Sequence, residues 1–151
     1  MLRKLWFAIL TLLLLQGCGS GDDWVVYNEV EIANDWNQKD ALRIVLNPSH
    51  EKNSNLYLTI THSPKFKYEN IYLKYTLSQL GKILSEDMVS IPLMSNDGLW
   101  TGDKQGNNYI SSQLIGTFDL TQPISLEVQQ HSRDDKLGEV MAVGIGVLSA
   151  I

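Results

Sequence analysis

The sequence predicts an all-β fold over residues 24–151, as a single antiparallel β-sandwich of the jelly-roll or immunoglobulin-like kind. Apolar residues alternate with polar residues at a period of two in several segments, and clusters of turn residues separate those segments. After residue 18, no segment has the long 3.6-residue period of a helix. The total length of 151 residues suits one domain with a core of its own.

About eight strands are expected. The clearest alternation occurs in residues 42–46, 56–61, 71–77 and 124–129. Further strands are predicted over residues 24–32, 83–91, 109–115 and 140–148. Leu80-Gly81 is predicted to form a hairpin turn between two strands. Gly144 and Gly146 share one face of the last strand, where their missing side chains would admit a large side chain from the opposite sheet.

The first 17 residues have the three parts of a signal peptide. Arg3 and Lys4 provide the positive start, and residues 5–15 are apolar apart from one threonine. This apolar run is shorter than the roughly 20 residues that a membrane-spanning helix needs. The segment Leu15-Gln16-Gly17-Cys18 resembles the lipobox of bacterial lipoproteins, so residues 1–17 are predicted to be removed.

Cys18 is predicted to be the lipid attachment site. It is the only cysteine, so no disulfide within the chain is possible, and an uncapped thiol would be a liability in an oxidising compartment. Attachment of two or more acyl chains would cap the thiol and anchor the protein stably. Residues 18–23 form a short tether, in which Asp22 and Asp23 fit either a surface-export signal or a solvated spacer.

The charge of the chain disfavours nucleic acid as a partner. The formal net charge is -5, and loss of Arg3 and Lys4 with the signal peptide makes the remaining chain more acidic by two charges. An acidic domain repels a phosphate backbone.

No catalytic residues, metal site or cofactor are predicted, because the ionisable residues form no recognisable constellation. The three histidines, at 50, 62 and 131, are interpreted as exposed or hydrogen-bonded residues of turns and strand ends. Oxygen ligands for calcium are available at Asp97, Asp103, Asn107 and Asn108. Their spacing matches no calcium loop, so they are interpreted as turn residues.

The sequence contains two further candidate clusters. Asp134, Asp135 and Glu139 could supply a glycosidase acid and base, but such a run is more typical of a solvated hairpin tip. Among the aromatic residues, the candidates are Trp24, Trp36, Trp100 and Tyr109. We expect residues 97–109 to form a loop that binds a partner, with Trp100 as its anchor and with Asp97 and Tyr109 as further partner-binding residues. The competing interpretation is that Trp100 covers the open end of the sandwich.

The order of several motifs is similar to that in the gliding motility lipoprotein GldH family of the Bacteroidota. The motifs are Tyr27, Asn34-Asp35-Trp36-Asn37, Asn55-Leu56-Tyr57-Leu58-Thr59-Ile60, Tyr68-Glu69-Asn70-Ile71-Tyr72-Leu73, Asp97-Gly98-Leu99-Trp100-Thr101-Gly102, Asn107-Asn108-Tyr109, Val128-Gln129-Gln130, Arg133, Leu137-Gly138 and Val143-Gly144. The resemblance covers roughly residues 27–148. It departs at Gly102-Asp103-Lys104-Gln105-Gly106-Asn107, where the family usually carries a more glycine-rich run.

The resemblance implies a non-enzymatic, lipid-anchored protein of the cell envelope. We expect it in the outer membrane, on either the periplasmic or the external face. Its implied partners are the membrane and other envelope proteins of the gliding motility and type IX secretion machinery. A surface-displayed carbohydrate-binding lipoprotein is the alternative. A lipid-anchored hydrolase is a third hypothesis, which the missing catalytic constellation disfavours. A coplanar row of aromatic rings on an open sheet face would favour sugar, and a mixed apolar patch with a polar rim would favour protein.

Overall fold

The computed structural model describes residues 24–49 and 52–148, and these form eleven antiparallel strands. The strands are β1 (Trp24–Glu31), β2 (Trp36–Asn37), β3 (Leu42–Leu46), β4 (Ser54–His62), β5 (Asn70–Gln79), β6 (Lys82–Pro92), β7 (Asp103–Gln105), β8 (Asn108–Phe118), β9 (Ile124–Gln130), β10 (Lys136–Leu137) and β11 (Val140–Leu148). Each of the eight predicted strands is present, and three short strands (β2, β7 and β10) are additional.

Two sheets pack face to face, which confirms the predicted all-β sandwich. One sheet has the strand order β1-β11-β4-β8-β7, and the other has the order β3-β9-β5-β6. A separate pair, β10-β2, lies at one end. The core between the sheets consists of alternate apolar residues from each strand, including Leu58, Ile60, Leu73, Leu126 and Ile145. Leu58, Ile60, Leu73 and Leu126 lie in the segments where the period-two alternation was clearest.

The sandwich has two ends with different connections. At the N-terminal end, β1 begins, β11 ends and the β5–β6 turn lies beside residues 119–123, because the Gln79 amide donates to the Asp119 carbonyl at 2.8 Å. At the opposite end lie four longer connections, residues 32–41, 63–69, 93–102 and 131–139. These two names, the N-terminal end and the opposite end, are used below.

The predicted hairpin turn at Leu80-Gly81 is confirmed between β5 and β6. Both residues have positive φ angles, 51° for Leu80 and 76° for Gly81. Positive φ at both central residues is the pattern of a type I′ turn, whose twist matches that of the flanking strands.

The expectation for Gly144 and Gly146 was wrong about the partner. Both glycines face outward, and the large side chains that cover them come from β1, the neighbouring strand of the same sheet. A Cβ atom at Gly144 would collide with the Tyr27 hydroxyl, and one at Gly146 would lie 2.6 Å from the Trp24 ring. The glycines therefore let two aromatic rings lie flat on the outer face of the sheet.

The segment 97–109, predicted as an irregular loop, is more ordered than expected. Its first part closes a small hairpin, in which Thr101 donates to the Leu93 carbonyl at 2.9 Å and Ser95 donates to the Leu99 carbonyl at 2.8 Å. Its second part contains β7, which pairs with the start of β8. The alternation pattern did not reveal β7, because three residues are too few to show a period of two.

Candidate functional site

The opposite end of the sandwich brings together most of the residues that the sequence singled out. Trp100 lies in the second arm of the small hairpin of residues 93–101, where it is bridged to Met94, and Tyr109 is the second residue of β8. Their ring centroids lie 6.1 Å apart at an angle of 38°. Asp97 occupies the exposed tip of the same hairpin and makes no ring contact with them. The predicted anchor and its aromatic neighbour are therefore in contact, while Asp97 stands apart.

Two glycines place Trp100. Gly98 has a φ of 78° and closes the hairpin tip, where its N–H donates to the Ser95 carbonyl at 2.9 Å. Gly102 lies directly against β8, because a Cβ there would be 2.5 Å from the Ile110 carbonyl oxygen. The contacts of these two glycines fix the position of Trp100.

Trp100 is half-buried and packs on the edge of the core. Its ring meets the imidazole of His62 edge-on, with centroids 4.6 Å apart and planes at 60°. Phe66 lies 5.7 Å from His62 on another side. We call His62, Phe66, Trp100 and Tyr109 the aromatic cluster. It closes one end of the core, and its Trp100 and Tyr109 rings are partly open to solvent.

His62 is fully buried inside this cluster. Its Nδ1 lies 2.9 Å from the Ser63 carbonyl oxygen, so Nδ1 carries the proton and donates it. Nε2 has no hydrogen-bond partner among the described residues. Desolvation lowers the pKa of His62, and the hydrogen bond to Ser63 opposes this only partly. The predicted hydrogen-bonded strand-end histidine is present, but its burial could not be foreseen from the sequence. His131 is exposed, and His50 lies outside the described residues.

A groove of about 370 Å³ opens beside Tyr109. One wall is the turn after β4, where the Ser63 hydroxyl donates to the Glu139 carboxylate. The other wall is the β7–β8 hairpin, which contributes Lys104 and Asn107. The groove is thus lined by a cation (Lys104), an anion (Glu139) and an aromatic ring (Tyr109). This lining suits recognition of a polar chain better than an apolar ligand.

A second groove of about 180 Å³ lies at the same end. It is lined by Tyr68, Asn70, Tyr72 and Arg133, among others. The Asn70 amide donates to the Tyr72 hydroxyl at 3.0 Å. The exposed Tyr72 ring, the amide and the guanidinium are groups that can stack on and hydrogen-bond to a ligand.

The acidic side chains of residues 134–139 do not point to one common site. The Asp134 carboxylate accepts from Lys67 at 2.5 Å and from the Tyr68 hydroxyl at 2.8 Å. These two bonds, with Lys67 the larger cause, lower the pKa of Asp134. Glu139 instead binds Ser63. Because the two carboxylates serve different partners, they do not form the acid and base pair of a glycosidase.

The connection carrying these acids is not a free hairpin tip, as the sequence suggested. The buried Gln130 amide donates to the carbonyls of Asp134 and Asp135 at 3.2 and 3.3 Å, and its oxygen accepts from Ser132 N–H at 2.8 Å. One core side chain therefore holds the whole connection against the sandwich.

The calcium candidates also do not converge. Asp97 sits at the hairpin tip, Asp103 in β7, Asn107 in the turn before β8 and Asn108 at the start of β8. Across the described residues, no group of three or more His, Cys, Asp or Glu side chains is arranged to hold a metal ion.

The remaining aromatic candidates occupy different environments. Trp36 is a core residue, and its indole N–H donates to the Asp40 carbonyl at 3.0 Å. Trp24 lies on the outer face of the five-stranded sheet, 5.0 Å from Tyr27 and 6.3 Å from Tyr57, at angles of 39° and 80°. These three rings do not form a coplanar row. With the exposed Leu114 beside Tyr57, they form a mixed patch.

The predicted signal peptide, Cys18 and the tether lie outside the described residues. Within the part of the chain that is described, there is no helix with the length and hydropathy needed to cross a bilayer.

Comparison with known proteins gives one strong match. A family model described as GldH lipoprotein matches residues 25–147, which is most of the chain. No curated protein matches the chain. Among solved structures, the crystal structure of dimeric latent PorU from Porphyromonas gingivalis is similar over 86% of this chain and 14% of that one, at 12% identity and a TM-score of 0.30. The chain thus spans only about a seventh of PorU, and a similarity this weak carries no argument.

Proposed function

Because the chain belongs to the GldH lipoprotein family, we propose that it acts without catalysis, by docking other envelope proteins of the gliding motility and type IX secretion machinery. Membership makes it a gliding-motility-associated lipoprotein of the cell envelope, held by a lipid anchor. We place the anchor at Cys18, the only cysteine, and the protein in the outer membrane.

The docking proposal is carried by the opposite end of the sandwich. There the small hairpin of residues 93–101 presents Leu99 with 68% of its surface exposed, next to the exposed Asp97. Behind it, Trp100 and Tyr109 are half-buried and partly accessible. An exposed apolar residue backed by anchored aromatic rings and rimmed by polar groups is typical of a protein interface.

The alternative, a carbohydrate-binding lipoprotein, is favoured by the groove that Tyr72 and Arg133 line. An exposed tyrosine ring beside an amide and a guanidinium can stack on a sugar ring and bind its hydroxyls. The outer face of the five-stranded sheet gives this alternative no support, because its aromatic rings are inclined to one another.

The proposal is tested by crosslinking in living cells followed by purification of the lipoprotein. The Leu99→Ser variant should lose crosslinked envelope proteins that the wild type captures, because Leu99 is the most exposed apolar side chain at this end. The matched control is Met88→Ser, which removes an equally apolar and half-exposed side chain from β6. Equal capture by both variants would contradict docking through the hairpin. Loss caused only by Tyr72→Ser, together with binding of a soluble glycan, would favour the alternative.

A further inference from the structure

Exposed aliphatic side chains concentrate at the N-terminal end of the sandwich. Leu80 is 76% exposed, Ile83 is 64% exposed and Leu84 is 41% exposed, all in or beside the β5–β6 turn. Val25, at the start of β1, is 48% exposed. Scattered exposed apolar residues need no explanation, but Leu80, Ile83 and Leu84 lie together in one short stretch of chain, and such a patch does need one.

The fold does not require an apolar residue at the tip of this turn. Leu80 has a φ of 51°, a conformation that favours glycine, asparagine or aspartate and that leucine rarely adopts. A Cβ at the adjacent Gly81 would meet nothing within 4 Å, so the tip projects into open space. Leu80 therefore combines a backbone conformation that leucine rarely adopts with a side chain that is 76% exposed, which points to a partner outside the domain.

The position of Cys18 indicates what that partner is. Six peptide units separate Cys18 from Trp24, where β1 begins, and a chain of that length spans at most about 20 Å. A lipid anchor at Cys18 would therefore keep the N-terminal end close to the bilayer. The opposite end, with its grooves, would be held away from the bilayer by the length of the strands.

The geometry of the sandwich lets two corners of this end meet a flat surface together. β1 and β6 are edge strands of different sheets, and β1 packs on β3 while β6 packs on β8. Val25 and the β5–β6 turn thus lie at opposite corners of the same end. Lys82, directly after the turn, is an exposed cation that suits a phosphate headgroup. Lys52, before β4, is also exposed, but its charge interacts with the exposed Asp119 carboxylate.

We propose that the N-terminal end rests on the membrane surface, with Leu80 and Ile83 inserted at the boundary between headgroups and acyl chains and Val25 in contact at the other corner. This inference rests on the proposed anchoring at Cys18. It adds that the domain has a fixed orientation on the bilayer rather than moving freely on its tether.

The test uses the full-length, lipidated protein in vesicles of phosphatidylethanolamine and phosphatidylglycerol. Since Cys18 is the only cysteine and its thiol would be acylated, Leu80→Cys provides one free thiol for an environment-sensitive fluorophore. Leu99→Cys is the matched control, because it labels a leucine of similar exposure in a hairpin at the opposite end. We expect blue-shifted emission that lipids with brominated acyl chains quench at position 80, and water-like emission without quenching at position 99.

The outcomes separate the inference from the anchor on which it rests. If the protein fails to float with the vesicles, anchoring at Cys18 is wrong, and the inference falls with it. If the protein floats but the label at position 80 stays water-like, the anchor stands and the inference is overturned. Emission at position 80 that is shifted but not quenched by brominated lipid would also overturn it, because that result indicates contact with protein.

Discussion

The two ends of the sandwich differ in the side chains that they expose and in the contacts that hold their connections. At the N-terminal end, β5 and β6 are joined by two residues, and three exposed side chains in and beside this turn are aliphatic. At the opposite end, connections are fastened by buried or partly buried polar contacts, including those of Gln130 and of Ser63 with Glu139. The turn at the first end thus exposes apolar side chains, whereas the connections at the second end are held by polar ones.

This difference helps to distinguish residues that stabilise the fold from residues whose exposure indicates a role in binding. Gln130 and Gly102 are explained by packing, because each satisfies or admits a neighbouring backbone group. Leu80 and Leu99 are not explained in that way, since both are largely exposed. The four predictions that follow test this division, from the largest expected effect to the smallest.

Gln130→Leu should lower the free energy of unfolding by about 3 kcal/mol, because the carbonyls of Asp134 and Asp135 lose a buried donor. Chemical denaturation monitored by tryptophan fluorescence measures this. The control is Gln129→Leu, the neighbouring residue, whose side chain points to the other face of β9 and is half-buried. If both variants lose the same stability, the opposite end does not depend on the Gln130 contacts.

Trp100→Ala should lower the free energy of unfolding by about 2 kcal/mol, less than the roughly 3–5 kcal/mol of a fully buried tryptophan, because Trp100 is half-buried. Trp100→Phe should recover most of that loss by keeping a ring against His62. If Trp100→Ala melts at the same temperature as the wild type, the Trp100 ring does not stabilise the fold and serves only to bind a partner.

Stability should fall as the pH is lowered from 7.5 to 5.5. His62 has a lowered pKa in the folded state, so below its ordinary value of 6.5 the unfolded chain binds more protons than the folded one. Protonation would place a charge among aromatic rings. Thermal melts of His62→Phe should show a weaker pH dependence over this range. His131→Gln, which changes an exposed histidine, should retain the pH dependence of the wild type.

Leu80→Asn should change stability least, with the melting temperature equal to or slightly above that of the wild type. Asparagine tolerates the positive φ of this position, which is worth at most about 1 kcal/mol. Circular dichroism melts of the vesicle-free protein in detergent measure this. A marked loss of stability would show that Leu80 packs as part of the fold, and the comparison of the two ends would then lose its basis.

Much of the fold was accessible from sequence because burial repeats at every second residue of a strand. Residues 71–77 and 124–129 displayed this alternation plainly, and both lie in the strands expected. β2 and β10 were missed, since two residues cannot show a period. The partner strand of Gly144 was also missed, because alternation tells which face a residue occupies but not which strand lies beside it.

The candidate site was only partly accessible for a related reason. Trp100 and Tyr109 were chosen for their chemistry, and they do meet. His62 joins them from a strand more than 35 residues earlier, through pairing of β4 with β8. The groove walls come from separate connections in the same way. Contacts of this kind depend on strand order, which no local pattern encodes.

The pairing of the first strand with the last has a consequence for the order of assembly. In the described sheet, β1 hydrogen-bonds to β11 alone, and β11 lies between β1 and β4. A chain that is made from its N-terminus cannot complete this sheet until its final strand is available. Closure of the five-stranded sheet therefore depends on a contact between the two ends of the domain sequence, and non-local contacts of this kind form slowly.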